Sequence, residues 1–165
     1  MGIVALTMSR QNKRHNWDLE LAMRIPLSRP DITEREIEAV VDVLRCPNLA
    51  LGPMLGRFED AMAVYTGRRR AVAVNSGTSG LFLSLLALGI GQGDEVVTTP
   101  FTFIASATTI MMGGARPVFV DIDPATLNLD ATKLEAAITE RTKAVLPVEV
   151  FGNPAGFDAI CEVAR

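Results

Sequence analysis

Ala71-Val72-Ala73-Val74-Asn75-Ser76-Gly77-Thr78-Ser79-Gly80 is the stretch whose reading decides the fold. Four small β-formers lead into Asn-Ser-Gly-Thr, and Leu81, Leu83, Leu85, Leu86 and Leu88 follow. The pattern predicts a buried strand over 71–75, a tight glycine turn, and a buried helix over 78–88. The first turn of a helix carries unpaired N–H groups and the positive end of the dipole. Gly77 permits close approach, and Ser76, Thr78 and Ser79 add hydroxyls, so the turn suits a phosphate. Ser, Thr and Gly at a strand-to-helix turn are also ordinary caps, and the turn alone allows either reading. It is not a P-loop, because the Gly-Lys-Ser/Thr ending is absent. Gly89-Ile90-Gly91-Gln92-Gly93 follows a helix rather than a strand, so it reads as a helix stop and not as a dinucleotide fingerprint.

Outward from that turn the rhythm is strand then helix. Strands are expected at 71–75, 95–99, 117–121 and 143–148, and helices at 78–88, 103–112 and 131–139. Gly113-Gly114, Asp123-Pro124 and Gly152-Asn153-Pro154 break the elements, and a last helix opens near Phe157. Val118-Phe119-Val120 is apolar on both faces, as a parallel sheet covered by helices requires. Upstream, Thr33-Glu34-Arg35-Glu36 is a capping box. Ile37, Val40, Val41 and Leu44 follow at helical spacing, and Cys46-Pro47-Asn48 stops that helix. A second helix is expected over 57–65, ended by Gly67. Ile25-Pro26-Leu27 is short and extended. Residues 1–24 read as a flexible arm, because Ser9 to Asp18 is polar without a sustained period.

The chain has 165 residues, 48% of them apolar, which suffices for one domain with a core. A net charge of −3 with both signs dispersed argues against nucleic acid or an anionic membrane as partner. Arg68-Arg69-Arg70 stands before a strand and reads as a solvated loop. Two cysteines and one histidine make no zinc cluster. Cys46 and Cys161 read as packing residues in a reducing compartment, the cytoplasm. No apolar run reaches membrane-spanning length uninterrupted, and the first eight residues lack the features of a signal peptide.

Asn75-Ser76-Gly77-Thr78, Gly93-Asp94-Glu95-Val96-Val97, Pro100-Phe101-Thr102-Phe103 and the run from Gly114 to Ile122 occur in a telling order. With Ile25-Pro26, Arg29-Pro30, Leu51-Gly52-Pro53 and Phe58-Glu59, this ordered set resembles the DegT/DnrJ/EryC1/StrS family. These are pyridoxal-phosphate-dependent sugar aminotransferases. The resemblance runs from about Ile25 to Arg165 and implies an α/β fold. That fold is the N-terminal part of the large domain of a type I, aspartate-aminotransferase-like architecture, with a mostly parallel sheet flanked by helices. Residues 25–165 would be an incomplete cofactor-binding domain.

The resemblance assigns cofactor binding to Gly77, Thr78, Ser79 and Phe103. Thr78 matches the phosphate-binding threonine, the backbone of Ser79 adds an N–H, and Phe103 matches the aromatic that stacks on the pyridine ring of pyridoxal 5′-phosphate. Without the resemblance, Phe103 reads as a core residue of an amphipathic helix. Glu149 stands where the family commonly has His, and either a charge near the cofactor or a solvated strand end would account for it. Ser79 replaces a common Ala.

The Asp that holds the pyridine nitrogen and the Schiff-base lysine are expected after Arg165. None of the chain's three lysines, Lys13, Lys133 and Lys143, matches the family's nucleophile. The chain therefore reads as an N-terminal fragment, inactive alone, of an enzyme that moves an amino group from an amino acid, expectedly glutamate, to a nucleotide-linked keto sugar. The product would enter polysaccharide or deoxysugar biosynthesis, and the full-length enzyme would be a homodimer. A pyridoxamine-form sugar dehydratase of the same family and a degenerate, non-catalytic member remain open.

Overall fold

A computed structural model describes residues 28–165. The expected arm, the Ile25-Pro26-Leu27 segment and Lys13 lie outside the described residues. Two compact units divide after Arg57.

In the first unit, α1 spans Glu34–Leu44. Its capping box forms as the sequence predicts: the Thr33 hydroxyl accepts from Arg35 N–H at 3.3 Å, and Glu36 accepts from Thr33 N–H at 2.7 Å. Helix α2 spans Pro53–Thr66 and begins four residues before the expected Arg57. Proline is at home at a first helical position, so Leu51-Gly52-Pro53 is the helix entry. Gly52 is required there, because a Cβ would collide with the Asn48 carbonyl oxygen. Cys46 is exposed, with its thiol donating to the Asp42 carbonyl at 3.4 Å, so it is not the packing residue expected.

The second unit carries the sheet. Its elements after α2 are α3 (Gly77–Ala87), β1 (Glu95–Thr98), α4 (Ala105–Met112), β2 (Arg116–Phe119), α5 (Ala131–Ala137), β3 (Thr142–Val145) and α6 (Phe157–Val163). The three strands are parallel, in the order β2-β1-β3. All four residues of β1 are buried. Val96 packs with Leu85 of α3 and Ile110 of α4 in one cluster. Its neighbour Val97 packs with Leu134 of α5 and Ile160 of α6 in another. Successive side chains of a strand point to opposite faces, so these valines anchor helices on both sides of the sheet. The expected α/β layering is what forms.

One expected strand does not form. Residues 71–75 join no ladder. The Ala73 N–H is taken by the Glu59 carboxylate of α2, at 2.9 Å. A run of small β-formers signals an extended chain, but a strand also needs a neighbouring backbone to pair with. Other boundaries shift by one to three residues at an end, where helices fray and strands lose partners.

The N-terminal ends of the strands meet at Glu95, whose side chain is 1% exposed. Arg116, which opens β2, donates to its Oε1, and Arg141, just before β3, forms an ion pair with the same oxygen at 2.7 Å. The Thr139 hydroxyl donates to Oε2 at 2.8 Å. The Arg116 hydrogen bond, and after it that of Thr139, holds the Glu95 carboxyl below its usual range.

Candidate functional site

The opposite ends of the strands carry a cleft. In a parallel sheet ligands bind outside the carboxyl ends of the strands, where the strand order reverses. Here β2 lies on one side of β1 and β3 on the other, so the reversal falls between β1 and β3. Thr102 and Phe103 follow β1, Val148 to Val150 follow β3, and the N-terminus of α3 completes the walls. The cleft has a volume of about 710 Å³, within the range of small-molecule sites.

Helix α3 presents its positive end here. Ser76 is its N-cap: the hydroxyl accepts from Ser79 N–H at 3.1 Å, and the Ser76 carbonyl accepts from Gly80 N–H at 3.0 Å. Gly77 and Thr78 have N–H groups without an acceptor among the described residues. The Thr78 hydroxyl is likewise without a partner among them and half-buried. A Cβ on Gly77 would meet nothing within 4 Å, so the space beside it is open. Two free N–H groups and a hydroxyl at a helix N-terminus fit an anion, and no cationic side chain lines the cleft.

Phe103 lies outside α4, which begins at Ala105, and is 74% exposed. Among the described residues it does not pack into the core of a helix. Its carbonyl accepts from Ser106 N–H at 3.1 Å, which fixes the backbone at the entry to α4 and leaves the ring on the cleft wall. Thr102 and Ser106 share a 2.8 Å hydroxyl contact nearby. Phe101 packs edge-on against Phe151, with ring centroids 6.2 Å apart, and links the segments that follow β1 and β3.

Of the residues picked from the sequence, Gly77, Thr78 and Phe103 line this one cleft. Ser79 is not among its lining residues, and its N–H is engaged by Ser76. Neither described lysine lines it: Lys133 of α5 pairs with Asp130 at 3.1 Å, and Lys143 is exposed on β3. Sequence reasoning missed Asn128, which is 4% exposed. Its amide donates to the carbonyls of Asn153 and Ala155, at 2.7 and 2.9 Å, and so secures the segment that follows the cleft wall. An Asn in a loop carries no signal of such a distant tie.

The model of the DegT/DnrJ/EryC1/StrS aminotransferase family matches residues 30–165. The chain belongs to this family. Among family relatives, the spore coat polysaccharide biosynthesis protein SpsC of Bacillus subtilis is 51% identical over 141 residues, covering 86% of this chain and 36% of SpsC. GDP-perosamine synthase of Caulobacter vibrioides is 46% identical over 143 residues, covering 86% of this chain and 38% of the synthase. The pyridoxal-phosphate form of the putative sugar aminotransferase Spr1654 from Streptococcus pneumoniae superposes with a TM-score of 0.79 at 43% identity, covering 84% of this chain and 36% of that one. A pyridoxamine-phosphate form of the same family member is equally similar. The chain thus spans little more than a third of the length of these relatives. Among the described residues no helix is long and apolar enough to cross a membrane, and no cluster could hold a metal ion.

Proposed function

We propose that the chain is the N-terminal part of a pyridoxal-phosphate-dependent aminotransferase acting on nucleotide-linked keto sugars. The observation that carries this reading is the convergence of α3's free N–H groups and the exposed Phe103 ring on one cleft. Gly77 and Thr78 would hold the phosphate through backbone N–H groups, aided by the helix dipole and the Thr78 hydroxyl. The Ser79 N–H joins them if Ser76 releases it. Phe103 offers a flat face to the pyridine ring. Leu81, Val148 and Val150 supply apolar walls that limit water. When bound, the cofactor supplies the electron sink through which an amino group is moved.

In this reading residues 25–165 are part of a cofactor-binding large domain, and the lysine that carries the cofactor lies past Arg165. The whole enzyme is a cytoplasmic homodimer that takes its amino group from an amino acid such as glutamate and serves polysaccharide or deoxysugar synthesis.

Absorbance spectra with added pyridoxal phosphate, before and after borohydride, test this on the chain and on a version extended past Arg165. A reduced adduct trapped only in the longer version supports the proposal. Absence of cofactor binding in both would favour a degenerate member, and an adduct on the short chain would refute the placement of the nucleophile.

A further inference from the structure

The cleft is electrically lopsided. Its α3 end offers the positive pole of a helix and free N–H groups. Among the residues lining it, Glu149 is the only ionisable one. Glu149 is exposed, and its carboxylate makes no hydrogen bond or ion pair among the described residues. Its backbone is held, because the carbonyl accepts from Gly152 N–H at 2.9 Å. An uncompensated carboxylate repels anions and attracts cations, so an anionic ligand would place its charge at α3 and away from Glu149. A molecule that is anionic at one end and cationic at the other matches both poles.

We propose that Glu149 binds the ammonium group of an amine-bearing ligand whose phosphate rests on α3, so that the site favours the amine form of the cofactor over analogues that lack the ammonium. This rests on the cofactor reading above. Pyridoxamine 5′-phosphate carries an ammonium where pyridoxine 5′-phosphate carries a hydroxyl, and neither has an aldehyde to react with surface lysines. The pair therefore isolates the charge.

Isothermal titration of the chain with each compound reads the preference. The wild type is expected to bind pyridoxamine phosphate about five-fold more tightly, the scale of a partly exposed ion pair. In Glu149→Gln that ratio falls to about one, while the affinity for pyridoxine phosphate holds or rises. Glu149→Asp keeps part of the preference. A residue that merely supported the wall would weaken both ligands together. Equal affinities in the wild type, or an unchanged ratio in Glu149→Gln, would overturn the inference and leave the cofactor reading standing. If neither the chain nor the version extended past Arg165 binds either compound, both readings fall. The wild-type ratio decides the matter even if a variant does not fold.

Discussion

Replacing Ser76 tests the α3 turn as a structural element and as a ligand site at once. In the structure its hydroxyl accepts from Ser79 N–H at 3.1 Å, while Gly77 and Thr78 N–H groups are already without acceptors among the described residues. Ser76→Ala adds a third unpaired donor to the same helix end. Loss of such a cap costs about 1 kcal/mol. With a urea m-value of roughly 1.5 kcal/mol/M, the unfolding midpoint falls by about 0.7 M. Ser76→Asp restores a side-chain acceptor of equal capping strength, so its midpoint stays within about 0.3 M of the wild type. It also places a negative charge where a phosphate would sit. Pyridoxine 5′-phosphate binding is then weakened at least about five-fold, since like charges a few ångströms apart cost about 1 kcal/mol or more. Urea titration followed by circular dichroism reads the first quantity, and calorimetry the second. An Ala variant as stable as wild type would mean that the cap contributes nothing. An Asp variant that binds the phosphate ester normally would remove α3 from the site.

Three other variants address separate parts of the argument. Phe103 is 74% exposed, so Phe103→Ala should leave thermal stability nearly unchanged yet weaken pyridoxine phosphate binding by about five-fold, as calorimetry would read; a large loss of stability would return Phe103 to the core. Ile110 of α4 is fully buried against α3 and the sheet, and Ile110→Ala should lose about 2–5 kcal/mol in urea unfolding. The Glu95 carboxyl has a lowered pKa in the folded state, so its contribution is present above the unfolded value near 4.5 and is lost as pH falls through the lower folded value. Stability curves against pH should therefore drop less steeply below 4.5 in Glu95→Gln than in the wild type, although the variant is less stable at pH 7.

Local signals served well where one residue type has one local job. The Thr33-x-x-Glu36 box appears as a cap, Gly67 ends α2 with a φ of +65°, and Val96-Val97 sits in a strand covered on both faces. The capped turn at Ser76 was legible for the same reason, since its hydroxyls and glycine act within four residues of each other. What escaped depends on distant partners. Residues 71–75 carry strand composition, but their pairing is decided by Glu59, fourteen residues before Ala73. Phe103 occupies a helical phase in the sequence, yet α4 starts two residues later and frees its ring. Glu95 reads as a polar strand opener, and nothing near it announces two arginines that lie 21 and 46 positions further along.

The buried Glu95 also answers a question of alignment that apolar residues leave open. β1 is covered on both faces, so the usual contrast between a wet and a dry face does not tell neighbouring strands how far to slide. β3 already departs from regular pairing between Glu95 and Val96. Sliding either outer strand by one residue would carry its arginine away from the shared oxygen and leave the buried carboxylate with one partner fewer. Two strands that reach β1 through long helical connections are thus held in step by a single carboxylate. The molecule keeps its length gauge at the closed end of the sheet, and the end that carries the cleft is free of that duty.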